Sequence, residues 1–136
     1  EVGKPLGQWY GMKSVGVSEN GLWMIENKET GETVGTVDLF DFDIFHSRIA
    51  LGLFVDPVYQ GCGFAKQALK ITEEYVFNFL KINQLYCHIS EQNIASKSMF
   101  EKEGYEVHGL LKNWIRVGGE FENVIVFQRF ISESQF

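Results

Sequence analysis

The 136-residue chain reads as an α/β domain built on a mixed, twisted sheet, antiparallel at its start, parallel in the middle and closed by an antiparallel hairpin. Three observations predict this. The β-rich runs Leu22–Asn27 and Thr33–Phe40 flank Lys28-Glu29-Thr30-Gly31-Glu32, the pattern of a hairpin. The apolar run Arg48–Val55 is followed by a helical stretch and then by a second run, Gln84–Ile89. A strand–helix–strand connection of this kind returns the second strand parallel to the first. Near the C-terminus, Leu110–Val117 and Phe121–Phe130 flank Gly118-Gly119, a two-residue hairpin turn.

Taken in order, residues 1–18 hold Pro5 and several glycines with little periodicity, and are expected to be an irregular segment, a loop or a frayed helix end. Asp41–Ser47 is expected to be a turn. The strand Arg48–Val55 ends at Asp56-Pro57 because proline cannot continue a ladder. Within it Gly52 predicts a bulge or a close approach by another backbone. Ala65, Ala68, Leu69, Thr72, Tyr75, Val76, Phe79 and Leu80 recur at three- and four-residue intervals, so a helix from Phe64 to Leu80 buries one face. A short helix follows Asn93, with Asn93 and Ser96 both suited to cap it, and ends near Glu103 before Gly104. No internal repeat or linker interrupts the chain, which is expected to be one domain over residues 1–136.

Composition narrows the function. A net charge of −6 disfavours a nucleic-acid backbone as partner and favours cationic substrates. No apolar run is long enough to span a bilayer and no signal peptide is visible, so no membrane partner and a cytoplasmic location are expected. Cys62 and Cys87 are too few for a disulfide framework, and His46, His88 and His108 show no ligand spacing, so no metal is expected.

The stretch Leu53–Lys66 runs from strand through Pro57 and the loop Gly61-Cys62-Gly63 into the long helix. Unpaired N–H groups and the positive end of the helix dipole point into that loop, where glycines let the backbone approach a phosphate. It is neither a Walker loop nor a Gly-x-Gly-x-x-Gly dinucleotide fingerprint.

Gln60-x-x-Gly63-x-Ala65, between strand and helix, resembles the acyl-CoA motif of the GNAT superfamily of N-acetyltransferases. The stretch Ser90–Tyr105, with Asn93 after a strand, a short helix and then Gly104-Tyr105, resembles that superfamily's second motif. Within the superfamily the chain is most similar to spermidine N-acetyltransferases and their ribosomal-protein N-terminal acetylating relatives, over roughly Leu22 to Phe130.

The resemblance implies a GNAT-like sheet with a splayed central parallel pair, helices on both faces, and an opening strand and helix that this chain is expected to lack. It implies acetyl-CoA as co-substrate. The pantetheine arm would lie along Leu53, Phe54 and Val55, the pyrophosphate over Gln60, Gly61, Cys62, Gly63, Phe64, Ala65 and Lys66, and Asn93 and Ser96 would stand beside the arm. Asn93 can bond the arm, cap its helix, or do both. Cys62 is read as structural rather than as an acyl carrier, and His88 as an interior histidine unless it faces the cleft.

Acetyl transfer needs a held thioester, a neutral amine and a proton for the departing thiolate. An alkylammonium has a pKa near 10, so only about one amine in a thousand is free at neutral pH. The resemblance places a Glu base at the position of Ala50, where it is absent, and a Tyr acid at Phe100, which has no proton to give. Ser98, Tyr105 or a bound water would have to stand in for that acid, or the thiolate would leave unassisted. Asp38, Asp41 and Asp43 are the nearest acids, expected either to attract a cationic substrate or to be solvated turn residues. The expected function is transfer of an acetyl group to a primary amine, a polyamine such as spermidine or another small cation. A protein N-terminus, and a weakly catalytic acyl-CoA-binding module, are the alternatives. A homo-oligomer is a further expectation.

Overall fold

Alternating apolar residues draw the chain into strands that its turns then pair. The computed structural model describes residues 12–14 and 21–133. These comprise β1 (Met12–Ser14), β2 (Leu22–Glu26), β3 (Thr33–Asp43), β4 (Arg48–Val55), α1 (Phe64–Glu73), β5 (Gln84–Ser90), α2 (Ile94–Lys102), β6 (Glu106–Val117) and β7 (Glu120–Phe130). A wider π turn, Glu74–Phe79, carries α1 to the length that its periodicity predicts. The strands form one sheet of seven in the order β1-β2-β3-β4-β5-β7-β6.

Segment 1–18 is corrected in part. Met12–Ser14 is a strand, paired antiparallel with β2 through Met12↔Ile25, so an opening strand is present after all. Three residues are too few to carry a periodic signal. The rest of that segment, where an opening helix would fall, lies outside the described residues.

β3 also outruns its expected end at Phe40. Asp41 takes a positive φ of 50°, and the bulge this makes lets Asp43 pair with Arg48. Gly118 and Gly119 both have positive φ, 58° and 84°, as a tight hairpin turn requires.

The parallel pair is short. β4 and β5 are joined through Arg48↔Gln84, Ile49↔Leu85 and Ala50↔Tyr86, and then part, although β4 runs on to Val55 and β5 to Ser90. This is the expected splay. It owes nothing to a bulge at Gly52, where the ladder with β3 continues unbroken through Asp38↔Gly52. The close backbone approach is at Gly35 instead, where a Cβ would collide with the Phe54 carbonyl oxygen.

Val37 and Leu39 of β3, Ile49 and Leu51 of β4, Leu85 and Cys87 of β5 and Phe127 of β7 share one face and are buried. Ala68, Leu69, Val76 and Phe77 of the long helix and Phe100 of α2 close over them in the same core. Both described helices therefore lie on one face. Arg129 of β7 ties them together, 3.7 Å from the Glu73 carboxylate and donating to the Glu103 carbonyl at the end of α2. The opposite face carries Asp38, Phe40, Gly52, Phe54, Tyr86 and His88, and no helix among the described residues packs against it. None of the helices there is long and apolar enough to cross a membrane.

Candidate active site

The junction after β4 is shaped by local chemistry. Asp56 closes a turn by accepting from the Val58 N–H at 3.0 Å, and Pro57 opens a single 3-10 turn to Tyr59. The Tyr59 hydroxyl donates to Glu32 at 2.7 Å, tying the loop to the β2–β3 turn, and this bond raises the tyrosine's pKa. Gly61 and Gly63 both adopt positive φ, 82° and 84°. Gly63 is the cap of α1 and offers no side chain to its first N–H groups. At the second helix Asn93 accepts from the Ser96 N–H at 3.1 Å.

The two helix starts open on one cavity of about 330 Å³, whose wall is completed by β4. Of the residues expected to hold CoA, Leu53, Phe54, Val55, Gln60, Gly61, Gly63, Phe64, Ala65, Lys66, Asn93 and Ser96 all line it. Cys62 does not; it points out from the loop and is exposed. Tyr59, Ala95 and Met99 join the wall without having been singled out. Helical spacing leads to Met99, one turn beyond Ser96.

The wall favours an anion. Lys66 is its one charged side chain, and the N-termini of α1 and α2 both add positive potential. The main chain contributes as well. The Asp56 N–H donates to the Val34 carbonyl at 2.8 Å, which sets the phase of the β3–β4 ladder. By the alternation of an antiparallel pair, the N–H and C=O of Leu53 and Val55 then turn away from β3, toward the gap left by β5. Those of Phe54 turn into the ladder, so of the three β4 residues it offers the cavity only its flank.

Other expected residues stand elsewhere. Phe100, 1% exposed, is packed between Tyr105 and Phe127 and does not line the cavity. Ser98 is exposed on the outer side of α2. Along nine helical residues the cavity face falls at Ala95, Ser96 and Met99, which leaves Phe100 to the sheet and Ser98 to solvent. The three aspartates differ in their surroundings. Asp43 is taken by the turn it closes, accepting from the His46 N–H and pairing with His46 and Arg48 at 2.9 and 3.3 Å. Its hydrogen bonds to the His46 main chain and ring hold its carboxyl below the usual range. Asp41 is exposed on the bulge. Asp38 lies on the helix-free face, where burial pushes its carboxyl up.

The cap at Asn93 gives a first prediction. Asn93→Ala should cost about 0.5–2 kcal/mol, read as a lower urea midpoint, while Asn93→Asp, which keeps the acceptor, should restore most of it.

A strand pair that parts above two helix starts is the frame of an acyltransferase of the GNAT type, and residues 7–106 match the family model of the acetyltransferase (GNAT) domain. The chain belongs to that family. It is 30% identical to spermidine N(1)-acetyltransferase of Escherichia coli over 95 residues, covering 70% of this chain and 51% of that protein. To the spermine/spermidine N(1)-acetyltransferase of Bacillus subtilis it is 28% identical over 109 residues, 79% of this chain and 62% of the relative. Among solved structures, mutant forms of the spermidine/spermine N-acetyltransferase SpeG of Vibrio cholerae superpose with a TM-score of 0.79 at 21% identity, covering 85% of this chain and 69% of that one. The chain thus spans about half to three-fifths of the curated relatives it matches.

Proposed function

We propose that this protein is an acetyl-CoA-dependent N-acetyltransferase acting on a primary amine, with a polyamine such as spermidine as the preferred acceptor. The observation that carries the reading is the convergence of two helix N-termini, a lysine and the parting edge of β4 on one cavity. In it the pyrophosphate of the co-substrate lies over the loop Gln60–Lys66, and the pantetheine arm runs along Leu53 and Val55 toward Asn93. Main-chain N–H groups of β4 polarise the thioester carbonyl, a role worth a few kcal/mol in the transition state. The amine attacks directly and the thiol leaves, with no acyl-enzyme, because Cys62 is off the wall.

A polyamine is supported by the relatives' own substrates and by the net charge of −6, which draws cations toward the protein. The enzyme works in the cytoplasm in this reading. It also assembles from several copies, as the Vibrio cholerae enzyme does in its dodecameric structure. The edge strand β6, with Leu110, Trp114 and Val117 exposed, is available for such contact.

Release of free CoA thiol with a panel of spermidine, spermine, a monoamine and an N-terminal peptide tests the reading. Spermidine and spermine should turn over fastest. Turnover of the peptide alone overturns the polyamine assignment. A second reading, an acyl-CoA-binding module, is favoured by the absence of a proton-donating tyrosine at Phe100, and predicts binding of acetyl-CoA without release from any amine.

A further inference from the structure

The register of the sheet sets an acid, a glycine and a histidine in one row. Asp38 of β3 pairs with Gly52 of β4. Two residues beyond the last parallel pair, Ala50↔Tyr86, Gly52 comes level with His88 of β5, where the strands have already parted. Paired positions point to the same face of a sheet, so Asp38 and His88 both project from the helix-free face. Two strand spacings, about 10 Å and somewhat more where the strands part, separate their Cα atoms.

Gly52 places no side chain between them. A Cβ there would rest 3.5 Å from Phe40 Cε1 and 3.6 Å from Asp38 Cβ, ordinary contacts, so the backbone does not require glycine. Gly52 thus leaves β4 without a side chain between Asp38 and His88, one residue before Leu53 on the cavity wall. Asp38 Oδ1 is buried with no hydrogen-bond partner. His88 is exposed, its ring meeting Trp114 edge-on at 6.3 Å between centroids. Phe54, the next residue on this face of β4, and Trp114, against the His88 ring, are 58% and 57% exposed.

We infer that the acceptor amine enters from this helix-free face, its ammonium held by Asp38, and that His88 is the base that takes its proton. The inference rests on the acetyl-transfer reading above. Imidazole is the side chain that accepts protons near neutral pH. His88 removes one proton from the ammonium and passes it to solvent. The freed nitrogen lone pair forms the N–C bond to the thioester carbonyl carbon. The C–S bond breaks with its electron pair on sulfur, and the second proton shed by the nitrogen goes to that thiolate. The products are the N-acetyl amine and free CoA thiol. The exposed rings of Phe54 and Trp114 suit an alkylamine with a methylene stem, whose remaining charge can rest against a ring face.

The test compares two nucleophiles at neutral pH in the intact protein: an alkylamine such as spermidine, which must lose a proton first, and hydroxylamine, already neutral. His88→Gln should lower kcat/KM for spermidine about 10²-fold and for hydroxylamine only a few-fold. Asp38→Asn and Gly52→Ala should raise the KM for spermidine several-fold. All three should keep the melting shift given by acetyl-CoA. A His88→Gln enzyme unimpaired with spermidine, or impaired equally with both nucleophiles, overturns the inference and leaves the acetyl-transfer reading standing. A wild-type protein whose melting is unmoved by acetyl-CoA overturns both.

Discussion

Gly63→Val should abolish stabilisation by acetyl-CoA. In the wild-type protein, acetyl-CoA at a hundredfold over its dissociation constant should add about 2.7 kcal/mol to the free energy of unfolding. A valine at this point of the loop stands in front of the first N–H groups of α1, where the phosphates would bind. Its Cβ has room, with Gln67 Nε2 the nearest atom at 3.7 Å, so the effect is not a collision within the protein. The backbone is another matter. At φ 84° a β-branched residue is strained, and the unliganded variant should lose about 1–3 kcal/mol on that account. Gly31→Val separates the two effects. Gly31 has a φ of 76° and open space around it, and it is not on the cavity wall. It should show the strain and keep the full ligand shift, measured as melting temperature against acetyl-CoA concentration. A Gly63→Val protein that retains the shift would remove the loop from the binding site.

Arg129→Ala should be the most damaging single truncation outside the apolar core. Glu73 is 2% exposed, and burial pushes its carboxyl above its ordinary range against the pull of the Tyr105 hydroxyl and of Arg129. Removing the guanidinium leaves a buried charge without its counter-ion, a loss of about 3–5 kcal/mol at neutral pH. It also strips a donor from the Glu103 carbonyl that ends α2. The sign of the pH dependence follows from the raised pKa. A carboxyl that binds its proton more tightly when folded contributes stability that is complete below its unfolded pKa and lost as pH rises through the folded value. Without Arg129 the folded value rises further, so the variant's deficit should be greatest near pH 7 and narrow toward the ordinary 4.5. Urea unfolding of both proteins at pH 7 and pH 5 measures this. The double variant with Glu73→Gln should recover part of the loss at pH 7. A deficit that does not change with pH would mean that Glu73 is not the group left exposed to the loss.

Local rules made the loop from Leu53 to Lys66 legible, because a strand end, a proline, two glycines and a helix start each act within a few residues. The parallel pair was legible from its connection alone. What escaped depends on partners distant in sequence. Gly35 and Gly52 look alike in a strand, and only the β3–β4 ladder decides which of them meets the Phe54 carbonyl. Asp38, Asp41 and Asp43 are close neighbours in sequence, but the bulge at Asp41 decides which face each takes, and no local pattern displays it. The handedness of the β4–β5 crossover sets the face of α1, but that of α2 depends on β6 lying beyond β7, which no stretch of sequence displays. Phe100 was named for the tyrosine it replaces, while its surroundings, Tyr105 and Phe127, make it core.

The thiol at the tip of the loop offers a use of its own. The chain has two cysteines, and they differ sharply in reactivity. Cys87 lies in the core, where burial pushes its thiol up to about 12 and keeps it protonated and out of reach. Cys62 is exposed between Gly61 and Gly63, beside the mouth of the cavity. A maleimide dye will therefore label the native sequence at a single point, without engineered cysteines. If acetyl-CoA binds over the loop as proposed, the dye's fluorescence should change on its arrival, before any chemistry takes place.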